Sequence, residues 1–257
     1  MSNSSLVTYT KISPNRTTER THVIDTITIH CMQGDLTLEA CGDLFAKATT
    51  AASSNYGIDS KGRIGLFVPE DERSWASSNR ENDMRAVTIE VANIKNAKGG
   101  YDRDWPVSDE AYEALIKLCV DICKRNNIKS LKWKASKSLI GKVEQQNMTV
   151  HRWFKNKACP GDYLYNRMGD IADRVNKELN DDSEVMYKVI VGSYKVKKNA
   201  EKRVEELKNK GYDSIVVKYG EKYRVQAGVF SSKQNAKSLV NKLKLDGYSA
   251  RIVRAAK

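Results

Sequence analysis

The segment TVHRWFKNKACPGDYL, residues 149–164, carries His151 and, eight residues later, Cys159 followed by Pro160 and Gly161. His30 lies 121 residues before His151, near the end of the apolar run VIDTITIHCM, where a strand would deliver its side chain to a cleft. Two neutral imidazoles and a thiolate form a donor set for Zn2+. In catalytic sites that ion takes three protein ligands and keeps a fourth position for water, which ionises near neutral pH when so held. By residue type alone, other readings stand beside this one. Taken by itself His30 reads rather as an ordinary strand-end histidine, and three histidines and five cysteines allow many triads. Cys119 and Cys123, at i and i+4, could join a histidine on a metal, but an apolar helix face favours simple burial. His22 has no motif around it and reads as a surface residue or a partner to another side chain.

The elements that must position these residues alternate along the chain. VIDTITIHCM reads as a buried strand, and IGLFVPE and AVTIEVAN as two more. TLEACGDLFAKATT reads as a helix with Leu38, Cys41, Phe45 and Ala48 on one face. SDEAYEALIKLCVDICKRNN has a Ser N-cap, acidic residues at its start and basic ones at its end, with Leu115, Leu118 and Ile122 along its buried side. GDYLYNRMGDIADRVNKEL reads as one further amphipathic helix. This order predicts an α/β fold with a mixed central sheet flanked by helices over residues 1–179.

A chain of 257 residues is one large domain or two smaller ones. The charge separates two. Residues 186–257 carry 18 Lys/Arg against 6 Asp/Glu, which accounts for the whole net charge of +12, while the preceding part balances 26 against 26. The polar, acidic stretch at residues 180–185 reads as a short linker. No apolar stretch of signal-peptide length opens the chain, and no run of about 18 apolar residues predicts a membrane span. The expected site of synthesis is therefore a cytoplasm, where a disulfide framework is not expected.

Beyond the linker the chain repeats itself. YKVIVGSYKVKKNAEKRVEELKNKGYDSIVV and YRVQAGVFSSKQNAKSLVNKLKLDGYSARIV align at a constant offset of 36 residues, with Tyr187/Tyr223, Gly192/Gly228, Ala200/Ala236, Leu207/Leu243 and Gly211/Gly247 matched. Each copy reads as strand, helix, strand, with Asn199 at an N-cap position and Gly211 as terminator. Two copies predict a four-stranded sheet with two helices on one face, an α+β fold of ferredoxin-like type. The pattern resembles the SPOR family of peptidoglycan-binding domains over essentially all of residues 186–254. The resemblance implies binding to glycan strands stripped of their stem peptides, through the helix-free sheet face. Ser193, Tyr194, Gln226 and Phe230 are the binding candidates, with Tyr194 and Phe230 alternatively packing the core. The first copy has Ile190 where the second has Gln226. A basic four-stranded sheet also suits RNA, but the dense aromatic signature of an RNA-reading sheet is missing, so no nucleic-acid partner is expected.

The first part has its own resemblance. TITIHCM, SSNYGIDSKGRIGLFVPEDERSWASSN, AVTIEVAN and TVHRWFKNKACPGDYLY resemble the zinc-dependent N-acetylmuramoyl-L-alanine amidases of the amidase-2, peptidoglycan-recognition-protein-like family, from about residue 20 to 175. The resemblance implies that His30, His151 and Cys159 hold catalytic Zn2+. It places Tyr56 at the family's active-site tyrosine and Lys157 at the lysine of the bacteriophage lysozyme-type amidases, both near the reacting oxygen. Glu90 matches a glutamate near the metal, either a general base or a structural carboxylate. Trp75 is a candidate for the substrate groove, although Ala76 stands where the family often has histidine.

Together these readings predict a peptidoglycan hydrolase that cuts the amide between N-acetylmuramic acid and L-alanine, with a second domain, residues 186–257, that keeps it on the wall. The alternative is a non-catalytic peptidoglycan-recognition protein, against which Cys159 speaks, since such relatives typically lack the cysteine ligand. Without an export signal, the expected setting is a phage or prophage endolysin, made in the host cytoplasm and acting on the cell wall after release.

Overall fold

The structure, a computed structural model, describes residues 3–95 and 104–256. The chain divides into two compact units, Met1–Leu179 and Asn180–Lys257.

In chain order the first unit contains β1 (Val7–Thr10), β2 (Arg16–Thr17), β3 (Thr26–Cys31), α1 (Leu38–Phe45), β4 (Tyr56–Ile58), β5 (Ile64–Leu66) and β6 (Arg73–Ser74). There follow α2 (Arg80–Arg85), β7 (Ala86–Val91), α3 (Asp109–Arg125), β8 (Met148–Val150), α4 (Asp162–Tyr165) and α5 (Met168–Glu184). Six strands form a mixed sheet in the order β1-β5-β4-β7-β3-β8, in which β4, β7, β3 and β8 run parallel. The expected mixed α/β architecture is what forms.

Each residue of β3 is buried, and its alternation sets the two faces. Ile27 and Ile29 join the main core with Val87 and Ile89 of β7 and Leu115, Leu118 and Ile122 of α3. Full burial of each such side chain contributes about 1.5–3 kcal/mol. Thr28 and His30 point the opposite way, because successive strand side chains alternate. On that side Leu38, Cys41 and Phe45 of α1 pack with Phe67. Cys119 and Cys123 are fully buried on α3, as an apolar face requires, and no metal group forms around them among the described residues. Helix α3 starts where its cap predicts: Ser108 Oγ accepts from Ala111 N at 3.1 Å, with Asp109 and Glu110 in the first turn and Lys124 and Arg125 in the last.

The single helix expected over residues 161–179 is two. Arg167 N donates to Leu164 O rather than to Tyr163 O, and the Arg167 guanidinium takes the Tyr163 carbonyl at 3.2 Å, so the ladder breaks between α4 and α5. Across the stretch expected as a short linker, residues 180–185, α5 continues through Glu184, and the next strand begins at Val185.

The second unit contains β9 (Val185–Tyr194), α6 (Lys197–Asn209), β10 (Ile215–Tyr219), β11 (Lys222–Phe230), α7 (Lys233–Leu245) and β12 (Arg251–Ala256). Its antiparallel sheet has the order β10-β11-β9-β12, so the first strand of each repeat takes the centre. Tyr187, Val189 and Val191 of β9 and Val225 of β11 pack under Ala200 and Leu207 of α6 and Ala236 and Leu243 of α7. This is the ferredoxin-like α+β fold that the repeat predicts. Gly211 and Gly247 end the helices at φ 79° and 84°. The N-cap of α6 is Val196 rather than Asn199, which lies in the first turn, whereas α7 has a capping side chain in Ser232.

Candidate active site

The parallel strands place three chemically competent residues at one end of the sheet. His30 is next to last in β3, Glu90 is its register partner in β7, and His151 follows β8 directly. Clefts outside the carboxyl ends of parallel strands are where open α/β sheets place ligands. Cys159 reaches the same place because the loop after His151 folds back. Arg152 N donates to Cys159 O at 3.1 Å, and the Arg152 guanidinium ties Asp162 Oδ1 at 2.8 Å and Ala158 O at 2.5 Å. Gly161 is required there: its φ is 83°, and a Cβ would lie 2.9 Å from Asp104 O and 2.6 Å from Trp105 Cβ.

His30, His151 and Cys159 each offer a ligand atom, and these atoms lie within 4.8 Å of one another. Cys159 Sγ is 3.4 Å from His30 Nδ1. The two rings meet edge-on, with centroids 5.2 Å apart. Burial, and then the charge of His151, lowers the His30 pKa to about 3. Burial, then Lys157 and Lys155, lowers that of His151 to about 4. Both rings therefore stay neutral, as metal ligands must. His30 Nε2 is buried without a hydrogen-bond partner. Burial pushes the Cys159 thiol well up, so its thiolate needs a cation, while the Cys31 amide donates to Sγ at 3.4 Å and favours the charged form. The donor set fits a Zn2+ ion.

Glu90, Lys157, His151 and Cys159 line one cleft of about 190 Å³, walled by Leu36, Leu44 and Phe45. Glu90 Oε1 is 3.9 Å from His30 Nδ1, and its Oε2 is buried without a partner. Burial, and then Cys31, raises its pKa well above that of an ordinary carboxyl.

Tyr56 corrects the expectation made for it. It pairs with Ile89, one register step from Glu90, so it points to the α3 side of the sheet. Its hydroxyl donates to Glu70 Oε1 at 2.5 Å and accepts from Ser4 N at 2.9 Å, and Arg125 of α3 closes on the Glu70 carboxylate through Nη1 and Nη2. Tyr56 is thus part of a buried structural network. Trp75 is half-buried and does not line the cleft. Its indole N–H donates to Thr17 Oγ1 at 3.1 Å, which supplies the partner that a packed tryptophan needs. His22 is exposed and bonds Val23 O.

One residue at the site carries no signal in the sequence. Ser78, exposed and at φ 61°, has its Oγ 3.2 Å from His151 Nε2. An isolated loop serine shows nothing of this contact.

On the second unit, two bulges between β9 and β11 decide which candidates face away from the helices. Ser193 pairs with Arg224, and Gln226 pairs with Ile190 and Ile215, all on the helix-free face. Tyr194 and Phe230 turn to the helix side, which corrects their assignment as ligand residues. Tyr194 OH accepts from Arg203 of α6 at 3.1 Å, and Phe230, half-buried, packs against the core on the helix side, its ring over Gly228.

Comparison with known proteins agrees with this division. The N-acetylmuramoyl-L-alanine amidase family model matches residues 20–162, more than half of the chain, and the SPOR domain model matches residues 184–254. No curated protein matches. Among solved structures, the Staphylococcus aureus hydrolase AmiA in complex with its ligand aligns at a TM-score of 0.50 and 13% identity, covering 66% of this chain and 82% of that one. The N-acetylmuramoyl-L-alanine amidase LysC from Clostridium intestinale aligns at 0.46 and 16%, covering 66% and 95%. The peptidoglycan-binding domain of the Bacillus subtilis cell wall lytic enzyme CwlC is 41% identical over 28% of this chain and 92% of that one, with a TM-score of 0.27. The chain belongs to the N-acetylmuramoyl-L-alanine amidase family: it is a peptidoglycan-hydrolysing amidase with a SPOR domain that binds peptidoglycan.

Proposed function

We propose that His30, His151 and Cys159 hold a catalytic Zn2+ and that the residues around them cleave the amide between the lactyl group of N-acetylmuramic acid and L-alanine. The observation that carries this reading is the convergence of two neutral imidazoles and a buried thiol at the carboxyl ends of β3 and β8. When bound, the ion supplies Lewis acidity toward the amide carbonyl and lowers the pKa of water. Lys157 contributes positive charge on the cleft wall for the amide oxygen as it becomes anionic. Glu90 exchanges the proton: it lines the same cleft 3.9 Å from His30 Nδ1, and a bound cation favours its ionised form, which takes a proton during attack and returns it to the leaving amine. With Tyr56 engaged by Glu70, Glu90 has no rival among the two carriers expected.

The SPOR domain holds the enzyme on glycan strands through the face that carries Ser193 and Gln226, with denuded strands as the preferred ligand. Cleavage creates that ligand, so product binding keeps the enzyme in the worked region. A wall-cutting unit joined to a basic wall-binding unit suits lysis from within. We therefore take the chain to be a phage or prophage endolysin, made in the host cytoplasm and reaching the wall after release.

The test is mass spectrometry of digested walls together with metal analysis. Free L-alanine amino termini and bound zinc are expected, with activity lost on chelation and restored by Zn2+. Wall digestion that survives both chelation and Cys159→Ser removes the metal reading. Expression with and without a membrane-permeabilising partner tests the endolysin setting, because lysis without the partner contradicts it.

A further inference from the structure

We propose that Ser78 is a positioning residue for His151: its hydroxyl holds Nε2, so that Nδ1 is the nitrogen presented to His30 and Cys159. The inference rests on the metal-site reading above. Ser78 Oγ lies 3.2 Å from His151 Nε2 across 73 residues of sequence. The two nitrogens of an imidazole are distinct, and the partner of one decides the proton and the ligand role of the other. With Nδ1 free to act as ligand, Nε2 carries the hydrogen and Ser78 Oγ accepts it.

The loop that carries Ser78 is built to hold this contact. Its φ of 61° is in the left-handed region, sparsely used by residues other than glycine, asparagine and aspartate, and persists only where neighbours hold it. Those neighbours are present on both sides. The buried Asp83 carboxylate accepts from Ala76 N and Ser77 N at 3.1 Å each. Asn79 caps α2 by accepting from Asn82 N at 2.8 Å. Asn82 in turn donates to Ser77 Oγ at 3.2 Å and to Thr28 Oγ1 at 3.0 Å, and accepts from Thr149 Oγ1 at 2.9 Å. Thr28 and Thr149 bond each other at 2.7 Å. Each stands two residues before one of the imidazoles, Thr28 before His30 and Thr149 before His151. The loop is therefore anchored to the two strands that deliver the rings, and Ser78 sits at its exposed tip against His151.

The tautomer of His151 in the metal-free protein is the direct readout, by long-range nitrogen–proton NMR, with Zn2+ affinity by chelator competition as the second. The wild type should show a single Nε2–H tautomer. Ser78→Ala should mix the tautomers and weaken Zn2+ binding by ~10–100-fold, the usual cost of losing an outer partner of a ligand. Ser78→Gly separates hydroxyl from backbone, since glycine tolerates the left-handed conformation, and it should lose affinity as alanine does. A His151 tautomer unchanged in both variants, or affinity equal to wild type in both, overturns the proposal. A wild type that binds no Zn2+ would defeat the metal reading, and the tautomer comparison would still decide the role of Ser78.

Discussion

His30 and Glu90 are register partners on adjacent parallel strands, with Nδ1 and Oε1 3.9 Å apart at the carboxyl end of the sheet. The pairing puts a proton-carrying carboxyl beside a candidate metal ligand. Glu90→Gln keeps the shape and removes the proton exchange. Activity should fall by ~10²–10⁴-fold, bound zinc should stay at the wild-type level, and the pH profile should lose one limb. Unchanged turnover would assign Glu90 a structural role.

Lys157 shares the cleft with His151 and Cys159. Loss of one charge at a developing oxyanion costs ~10²–10³-fold in turnover. Lys157→Ala should show that loss in kcat, with the KM for wall fragments little changed. A change confined to KM would make Lys157 a substrate-binding residue.

Tyr56 donates to Glu70 on the far face of the sheet. A hydrogen bond to a charged group contributes about 1.5–3 kcal/mol. Tyr56→Phe should therefore lower stability in urea unfolding by that amount, and activity per folded molecule should be retained. A catalytic defect in fully folded protein would return Tyr56 to the site.

The metal-free protein should lose stability as the pH falls from about 6.5 toward 4. His30 and His151 have folded pKa values lowered to about 3 and about 4, below the usual 6.5, so in this window the unfolded chain binds protons that the native rings refuse. Glu90 opposes this, because its native carboxyl keeps a proton that the unfolded one releases above about 4.5. Burial also raises the Asp83 carboxyl, which adds to this opposition toward the acid end of the window, so the two histidines dominate at its upper end. Urea midpoints at pH 6.5 and 4.5 measure the difference, and a saturating metal should steepen it.

On the SPOR domain, Gln226 lies on the helix-free face and Phe230 packs against the core on the helix side. Gln226→Ala should weaken co-sedimentation with denuded glycan at unchanged stability. Phe230→Ala should destabilise the domain, by less than the ~3–5 kcal/mol of a fully buried phenylalanine because its ring is half-buried. Glycan binding lost in a folded Phe230 variant and kept in the Gln226 variant would reverse the assignment.

Much of this protein is legible in one dimension. The offset of 36 residues predicts two strand–helix–strand units, because each copy buries the same face and must repeat the same apolar positions. The acidic start and basic end of α3 and its Ser108 cap are local signals, and they hold. By residue type, His30, His151 and Cys159 are one candidate set among many triads, and it is the resemblance of the segments around them to the amidase family that singles them out. What the sequence could not decide is which way a strand residue points. Side chains alternate at every step, so one step of register or one bulge moves a residue to the other face. That step takes Tyr56 from the cleft to Glu70, and bulges turn Tyr194 and Phe230 toward the helices. The position of Ser78 against His151 is likewise tertiary, since a loop serine acquires its meaning only from a ring 73 residues away.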